Sequence, residues 1–300
     1  MSPVRIETDR GVRLLGWRHD LVPPHVETNH RLLLAQYPDL AGPARPAEVD
    51  LRPFMGPVLN QLALGACGPN AVMDAARTRG QIQLSLGGQP GSVLLGARLG
   101  PYWFTRFTYG LVGEDSGVDL ATLVGVIAGL GFCAEEYCPY SDEQSGGYDP
   151  QNPYPFQREP STLYLEKALL QKGKLRTSKI DDGTAAGYLK NLEIAIANQF
   201  PIPYGALVSE DFVHGNFDPT VALPATKGIP AGGHAMEYVG YGFDRLGNPA
   251  IRSRTSWGEA PFGPGSEDGT FLVSPEFVTK STSDAWAITD APTFLDVGGL

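Results

Sequence analysis

The sequence predicts an α+β protein built as two lobes with a cleft between them, and three observations lead there. Segments with helical spacing dominate the middle of the chain and strand-like segments dominate its end, a segregation that marks α+β rather than alternating α/β architecture. Gly (37) and Pro (26) fill about a fifth of the 300 residues without a G-X-Y period, which excludes collagen and favours loop-rich construction over a helical bundle. A chain of this length buries about 75% of its unfolded surface, so its core needs no disulfide or metal staple.

The elements follow in order. Residues 1–48 form a lead-in with scattered His, Pro and charge and one apolar patch at Leu32-Leu33-Leu34-Ala35; denser sequence begins at Val49-Asp50-Leu51-Arg52-Pro53. A helix is expected over 68–79. Pro69 suits its first turn, Ala71, Val72, Ala75 and Ala76 give an apolar face, and Gly80 is expected to stop it. A second is expected over 119–130, where Leu120, Leu123, Val124 and Ile127 share a face and Gly131 follows, and a third over 185–198 through Leu189, Leu192 and Ile196. Residues 148–156, rich in Tyr and Pro, read as a surface crossing. Strands are expected over 203–208, 235–241, 250–256 and 270–274, separated by Gly- and Pro-rich turns.

Charge and cysteine content set limits on function. The net charge is −10, so binding to a phosphate backbone is disfavoured and no nucleic-acid partner is expected. No run approaches eighteen apolar residues, so no membrane partner is expected. The first ten residues carry charge where a signal peptide needs an apolar run. Three cysteines, Cys67, Cys133 and Cys138, are too few for a disulfide framework. A cytoplasmic, reducing home is expected, with signal-less export left open. The sequence carries no reading of oligomeric state.

Chemistry concentrates around Cys67. In Gln61-Leu-Ala-Leu-Gly-Ala-Cys67-Gly-Pro-Asn-Ala71 the cysteine falls where a Gly-rich turn enters a helix, and free N–H groups with the helix dipole there favour a thiolate. Gln61 is placed to fold back and aim its amide at a charge forming beside the sulfur. Nucleophile, base and oxyanion donors are what acyl transfer through sulfur needs. A small buried hydrophobe at a helix start is the plainer alternative. Of the five histidines, His19, His25 and His30 are spaced 6 and 5 apart, which suits solvated loop positions better than a metal site. His214 sits in an expected turn. His234 heads a strand behind Gly232 and Gly233, which permit close backbone approach.

Gln61, the Cys67 turn, Gly-Gly-His234 and Ser256-Trp257-Gly258 occur in an order that resembles the papain-like cysteine peptidases, especially a bacterial branch with a short N-terminal extension. The resemblance is clearest at Gly16-Trp17-Arg18 with 49–53, at 61–71, from Glu114-Asp-Ser-Gly117 to Cys138-Pro-Tyr140, and from Gly232 to Phe271; it fades between 141 and 180. It implies a two-lobe fold with a helical left lobe, an antiparallel β right lobe and the active site in the cleft between them. It further implies a catalytic domain over 49–300, Cys67 as nucleophile, His234 as general acid/base, and Gln61 with the Cys67 N–H as oxyanion hole. Ser116 and Gly117 are implied to pair with substrate backbone, Gly233 to line the pocket beside them, and Trp257 to shield the pair from water. The substrate would be a peptide or protein, and no metal or cofactor is required.

One position departs. The family places Asn before Ser-Trp-Gly, and this chain has Thr255, whose oxygen reaches one bond less far. Thr255 orients His234 directly, acts through a water, or leaves the site impaired; retained activity is the reading favoured here, because an orienting residue tunes such a site. Leu64 stands where the family's half-cystine precedes the nucleophile, so that disulfide is absent, and Cys133 with Cys138 would bridge only on export. The lead-in reads as a permanent strap anchored by Trp17 and Leu32–Leu34, since its low helical content argues against a folded helical prodomain; the alternative is an autoinhibitory segment lying in the cleft and removed by self-cleavage before about Val49. Two other functions stay open: an amide acyl transferase using the same thioester, and a binding or scaffolding module without catalysis.

Overall fold

The computed structural model describes residues 4–21, 33, 45–141, 155–181 and 184–294. His25, His30, Leu32, Leu34 and most of the expected crossing at 148–156 lie outside them. Along the described chain the strands are β1 (Val4–Thr8), β2 (Gly11–Leu15) and β3 (Val49–Asp50), followed by helices α1 (Cys67–Leu86), α2 (Leu99–Thr108), α3 (Leu120–Leu130) and α4 (Thr162–Leu169). Then come β4 (Arg176–Lys179), α5 (Ala185–Ala197), β5 (Ile202–Val208), the short α6 (Glu210–His214), β6 (Gly232–Phe243), β7 (Pro249–Arg254) and β8 (Thr270–Val273). Helix α7 (Pro275–Lys280), β9 (Thr282–Ser283) and β10 (Trp286–Asp290) close the described chain.

The helices start where short polar side chains can accept from free backbone N–H groups. Asp119 accepts from Thr122 to open α3, Thr184 from Gly187 to open α5, and Ser161, Ser209 and Ser274 do the same for α4, α6 and α7. Helix α3 stops at Gly131, whose φ of 81° suits glycine. A Cβ there would also sit 2.0 Å from the Ala168 carbonyl oxygen. Gly80 does not stop α1. The helix continues to Leu86 because Ile82 and Leu84 bury a further apolar turn. Gly80 itself lets α1 approach Val93, whose methyls would lie 3.2 Å and 3.3 Å from an added Cβ.

The expected strands join one antiparallel sheet ordered β8-β7-β6-β5-β9, with β3 also pairing β6. Its central strand β6 runs twelve residues. Helices α5 and α7 cover the sheet through Leu192, Ile196, Phe277 and Val278, and together they enclose one core. A second core gathers α1, α2 and α3 around Leu64, Val72, Leu99, Leu120, Leu123 and Trp286. Two cores side by side make two lobes, as the segregated pattern predicted. Phe156, the end of the expected surface crossing, is instead buried in the helical core, because its side chain adds to the apolar contact against α2. Residues of the lead-in add a two-stranded hairpin, β1-β2, that composition did not signal. Among the described residues no helix is long and apolar enough to cross a membrane.

Candidate active site

Cys67 is the first residue of α1, preceded by Ala66, which offers no side-chain cap. The first-turn N–H groups therefore keep their partial positive charge directed at the sulfur. The turn is tied down from outside: Gly65 N–H donates to both carboxylate oxygens of Asp115 at 2.9 and 3.1 Å, the Tyr102 hydroxyl donates to the same carboxylate, and Gly117 N–H donates to that hydroxyl at 3.1 Å. One half-buried carboxylate thus ties the Cys67 turn to the 114–117 segment.

Gln61 is held through both its main chain and its side chain. Its N–H donates to Ser256 O at 2.8 Å, and the Ser256 hydroxyl donates to its Oε1 at 2.8 Å. The Tyr140 hydroxyl donates to its main-chain oxygen at 2.7 Å, and its Nε2 donates to Leu64 O at 2.9 Å. The second amide proton is left for whatever lies in the cleft.

His234 lies on β6, opposite Ala206 of β5. Its Nε2 is 2.8 Å from Thr255 Oγ1. Threonine, in the position just past the end of β7 at Arg254, thus reaches the imidazole without a bridging group. The Trp257 ring stacks on the imidazole with centroids 4.3 Å apart and planes 22° apart, and His234 Nδ1 has no hydrogen-bond partner. The backbone of the next residue, Ala235, approaches the Cys67 sulfur. The structure therefore brings Cys67, Gln61, His234, Thr255 and Trp257 to one place.

It also fills that place with the chain's own lead-in. Gln61 Nε2 donates to Leu14 O at 3.0 Å, and the Gly16 backbone contacts the Cys67 sulfur. Val118 N–H donates to Gly16 O at 2.9 Å, Arg18 N–H donates to Val118 O at 3.0 Å, and Trp17 N–H donates to Gly233 O at 3.0 Å, making a parallel bridge between Trp17 and Val118. Arg18 Nη1 donates to Ser116 O at 3.1 Å. Ser116, Gly117 and Gly233 thus meet residues 16–18. Gly117 has to be glycine, since its φ is 72° and a Cβ would lie 2.0 Å from Gly16 O. The Trp17 indole fits a slot floored by glycine; a Cβ on Gly205 would sit 2.0 Å from its Cε2.

Enclosure dominates the electrostatics. Burial pushes the Cys67 thiol up to about 11, while the backbone amides of Ala235, Gly16 and Gly68 pull the other way. Burial, and then the nearby positive charge of Arg13, drives His234 down from 6.5 to about 3. Closed in this way, the pair rests as neutral thiol and neutral imidazole. Burial is also the leading cause that raises Asp115. On the far side of the sheet, burial and then Asp74 push Glu237 well above the carboxyl range, against the opposing pull of Arg254. Arg254 itself donates to Asp74 at 2.9 Å, joining the strand before Thr255 to α1.

His19 is exposed and stands apart from this centre, and His214 ends α6 rather than occupying a turn. Cys67, Cys133 and Cys138 are all free thiols. Residue-level reading missed Tyr102, Asp115 and Arg13. Asp115 lies inside the Glu114-Asp-Ser-Gly117 block that carried the resemblance, which was its available signal. Tyr102 and Arg13 carried none, because their roles rest on residues far away in the chain.

No protein-family profile matches the chain. A curated relative, an uncharacterized peptidase C1-like protein of Acanthamoeba polyphaga mimivirus, is 25% identical over 237 residues, covering 77% of this chain and 68% of the relative. Among solved structures, xylellain, a cysteine protease from Xylella fastidiosa, superposes with a TM-score of 0.72 at 26% identity over 96% of this chain and 98% of its own. Procathepsin B S9 from Trypanosoma congolense gives 0.60 at 14% identity, covering 93% and 87%, and digestive procathepsin L 3 of Tenebrio molitor gives 0.56 at 15%, covering 91% and 75%; at such identities they bear on the fold alone. The fold is the two-lobe papain-like fold, and the chain is similar over nearly its whole length to papain-like cysteine proteases.

Proposed function

We propose that the chain is a papain-type cysteine peptidase whose own residues 13–18 hold it latent. The observation that carries this is the 2.8 Å contact of His234 with Thr255, beside a cysteine at an uncapped helix start. In the working state Cys67 sulfur attacks the carbonyl carbon of a peptide bond, its proton passing to His234. The carbonyl oxygen takes the charge and is met by the Gln61 amide and the Cys67 N–H. As the intermediate collapses, the C–N bond breaks and His234 gives its proton to the leaving amine. Water, deprotonated by His234, then splits the thioester and returns the thiol. Thr255 holds the imidazole ring in position, and Trp257 keeps bulk water off it.

Latency follows from direction. Residues 13–18 run from the Trp257 side toward Ser116–Val118. A substrate acylating Cys67 would place its N-terminal half at Ser116–Gly117 and its leaving amine toward Trp257, so the lead-in crosses the cleft backwards. Its backbone occupies the Gln61 amide through Leu14 O without presenting a bond in the cleavable sense. This favours residues 1–48 as an inhibitory segment over a permanent strap, with the catalytic domain over 49–300.

The test is mass spectrometry with an epoxysuccinyl inhibitor and a mixed peptide pool, on chain carrying Trp17→Ala to loosen the cover. Expected are stoichiometric labelling of Cys67 ahead of Cys133 and Cys138, and peptide cleavage that Cys67→Ala abolishes. Labelling without cleavage in any peptide would refute hydrolysis. Wild type remaining full-length after long incubation, as Cys67→Ala does, would exclude self-processing.

A further inference from the structure

Arg13 is 4% exposed, yet among the described residues no carboxylate bonds to it. A buried charge without an ionic partner needs another explanation. Its guanidinium donates instead to three main-chain oxygens, those of Phe212 at 3.4 Å, of Val213 and of Pro261. It also lies over the Trp257 ring, 4.4 Å from the centroid, with Phe262 at 5.3 Å. Diverging, fixed acceptors beside an aromatic face suit a planar fork of donors, weakly hydrated and able to stack. A lysine ammonium, compact and strongly hydrated, would satisfy fewer of them. Beside Arg13 a groove of about 330 Å³ opens past Asn60, Leu62 and Trp257; Arg10 lines it and also donates to Pro261 O at 3.2 Å, and the exposed Glu259 adds a negative charge at its rim.

The position of this cradle relative to the chemistry is defined on both sides. Arg13 directly precedes Leu14, whose carbonyl takes the Gln61 amide. Trp257, which forms the cradle's floor, stacks on His234, the group that would protonate the leaving amine. We propose that the cradle is a guanidinium-recognition subsite on the leaving-amine side of the cleft. Arg13 occupies it in the resting chain, and an arginine side chain of a substrate, C-terminal to the scissile bond, occupies it once residues 13–18 withdraw. The inference rests on the peptidase reading for its substrate and on the cradle alone for its ligand class. Inhibitory segment and substrate then compete for the same acceptors, so arginine-bearing peptides are favoured both as openers and as substrates.

Two measurements test it. In the first, full-length Arg13→Ala is titrated with ethylguanidinium at millimolar concentration and followed by thermal shift and calorimetry. Saturable stabilisation is expected for the variant and not for wild type, with n-propylammonium weaker. If Arg13→Ala does not fold, Arg13→Gln, which keeps most of the stem over Trp257, takes its place. Absence of saturable ethylguanidinium binding in the folded variant overturns the proposal. In the second, Trp17→Ala chain is given matched peptides with Arg, citrulline, Lys or Ala after the scissile bond. A kcat/KM at least ~10-fold higher for Arg than for citrulline is expected from hydrogen bonds to a charged group, and equal values overturn the proposal. Cleavage of none of the peptides, with ethylguanidinium still binding Arg13→Ala, would reject the peptidase reading while the guanidinium site stands.

Discussion

Replacing Trp17 by alanine separates a displaceable cover from a permanent part of the body. The indole is 4% exposed and packs on Gly205 and Gly233. Trp→Ala at a buried site costs about 3–5 kcal/mol. Trp17 Nε1 is buried without a hydrogen-bond partner, a penalty of about 1–3 kcal/mol that the substitution relieves. The net loss is then about 2 kcal/mol, which corresponds to roughly 30-fold in an equilibrium constant. If that loss falls on docking of residues 13–18, the exposed population of Cys67 rises by the same factor. The assay is alkylation of Cys67 under native conditions, read by peptide mapping, with Cys133 and Cys138 as internal references. A Cys67 rate tens of times above wild type, with the references unchanged, is expected. A lower melting temperature with no change in relative Cys67 labelling would refute the reasoning and make Trp17 an ordinary core residue.

Other substitutions and conditions test the remaining parts. Thr255→Val keeps the shape but leaves a buried imidazole N–H without its acceptor, so kcat should fall about 10- to 100-fold; Thr255→Asn should hydrolyse at least as well as wild type, and a clear loss would show that the site depends on threonine. His234 is held near 3 in the closed state and returns toward 6.5 when solvated. The open state therefore binds the extra proton, and acidification below about 6.5 should speed exposure of Cys67, measured with a thiol reagent that reacts at low pH. A rate that falls on acidification would refute that linkage. Glu237 has its folded value raised, so its contribution to stability is full below the unfolded value of 4.5 and declines as pH rises through the folded one. Glu237→Gln should flatten this decline in denaturation midpoints taken between about pH 5 and about pH 9, and an unchanged slope would place the titration elsewhere.

Local signals account for what was legible in the chain. Helices α3 and α5 lie within a residue of their expected bounds, because an Asp or Thr cap and an apolar repeat specify a helix from within its own sequence. The β5, β6 and β7 strands were legible from β-branched and aromatic runs between glycines. Helix α1 overran its expected end because the reason to continue, burial of Ile82 and Leu84 and close approach to Val93, belongs to the packed molecule. Glycine's conformational cost, about 1 kcal/mol, is small against such contacts. Helix α2 and the β1-β2 hairpin went unread for a similar reason. The α2 segment carries Gly100 and Pro101 in its first turn, and the hairpin exposes several residues of each strand, so neither has a clean period.

The sequence by itself determined the candidate chemistry: a thiol at a Gly-rich helix entry, a histidine behind two glycines, and a glutamine and a tryptophan at compatible places along the chain. Those assignments depend on residue type and local turn geometry, which neighbours in sequence encode. Only the tertiary structure decided that threonine reaches the imidazole, that Asp115 and Tyr102 tie down the Cys67 turn, and that Leu14, Gly16 and Trp17 lie across the cleft. It also decided that a buried arginine beside Trp257 donates to carbonyl oxygens some two hundred residues and more away in sequence. Contacts of that kind depend on where separate strands and loops come to rest, and their energy exists only once the two lobes have packed.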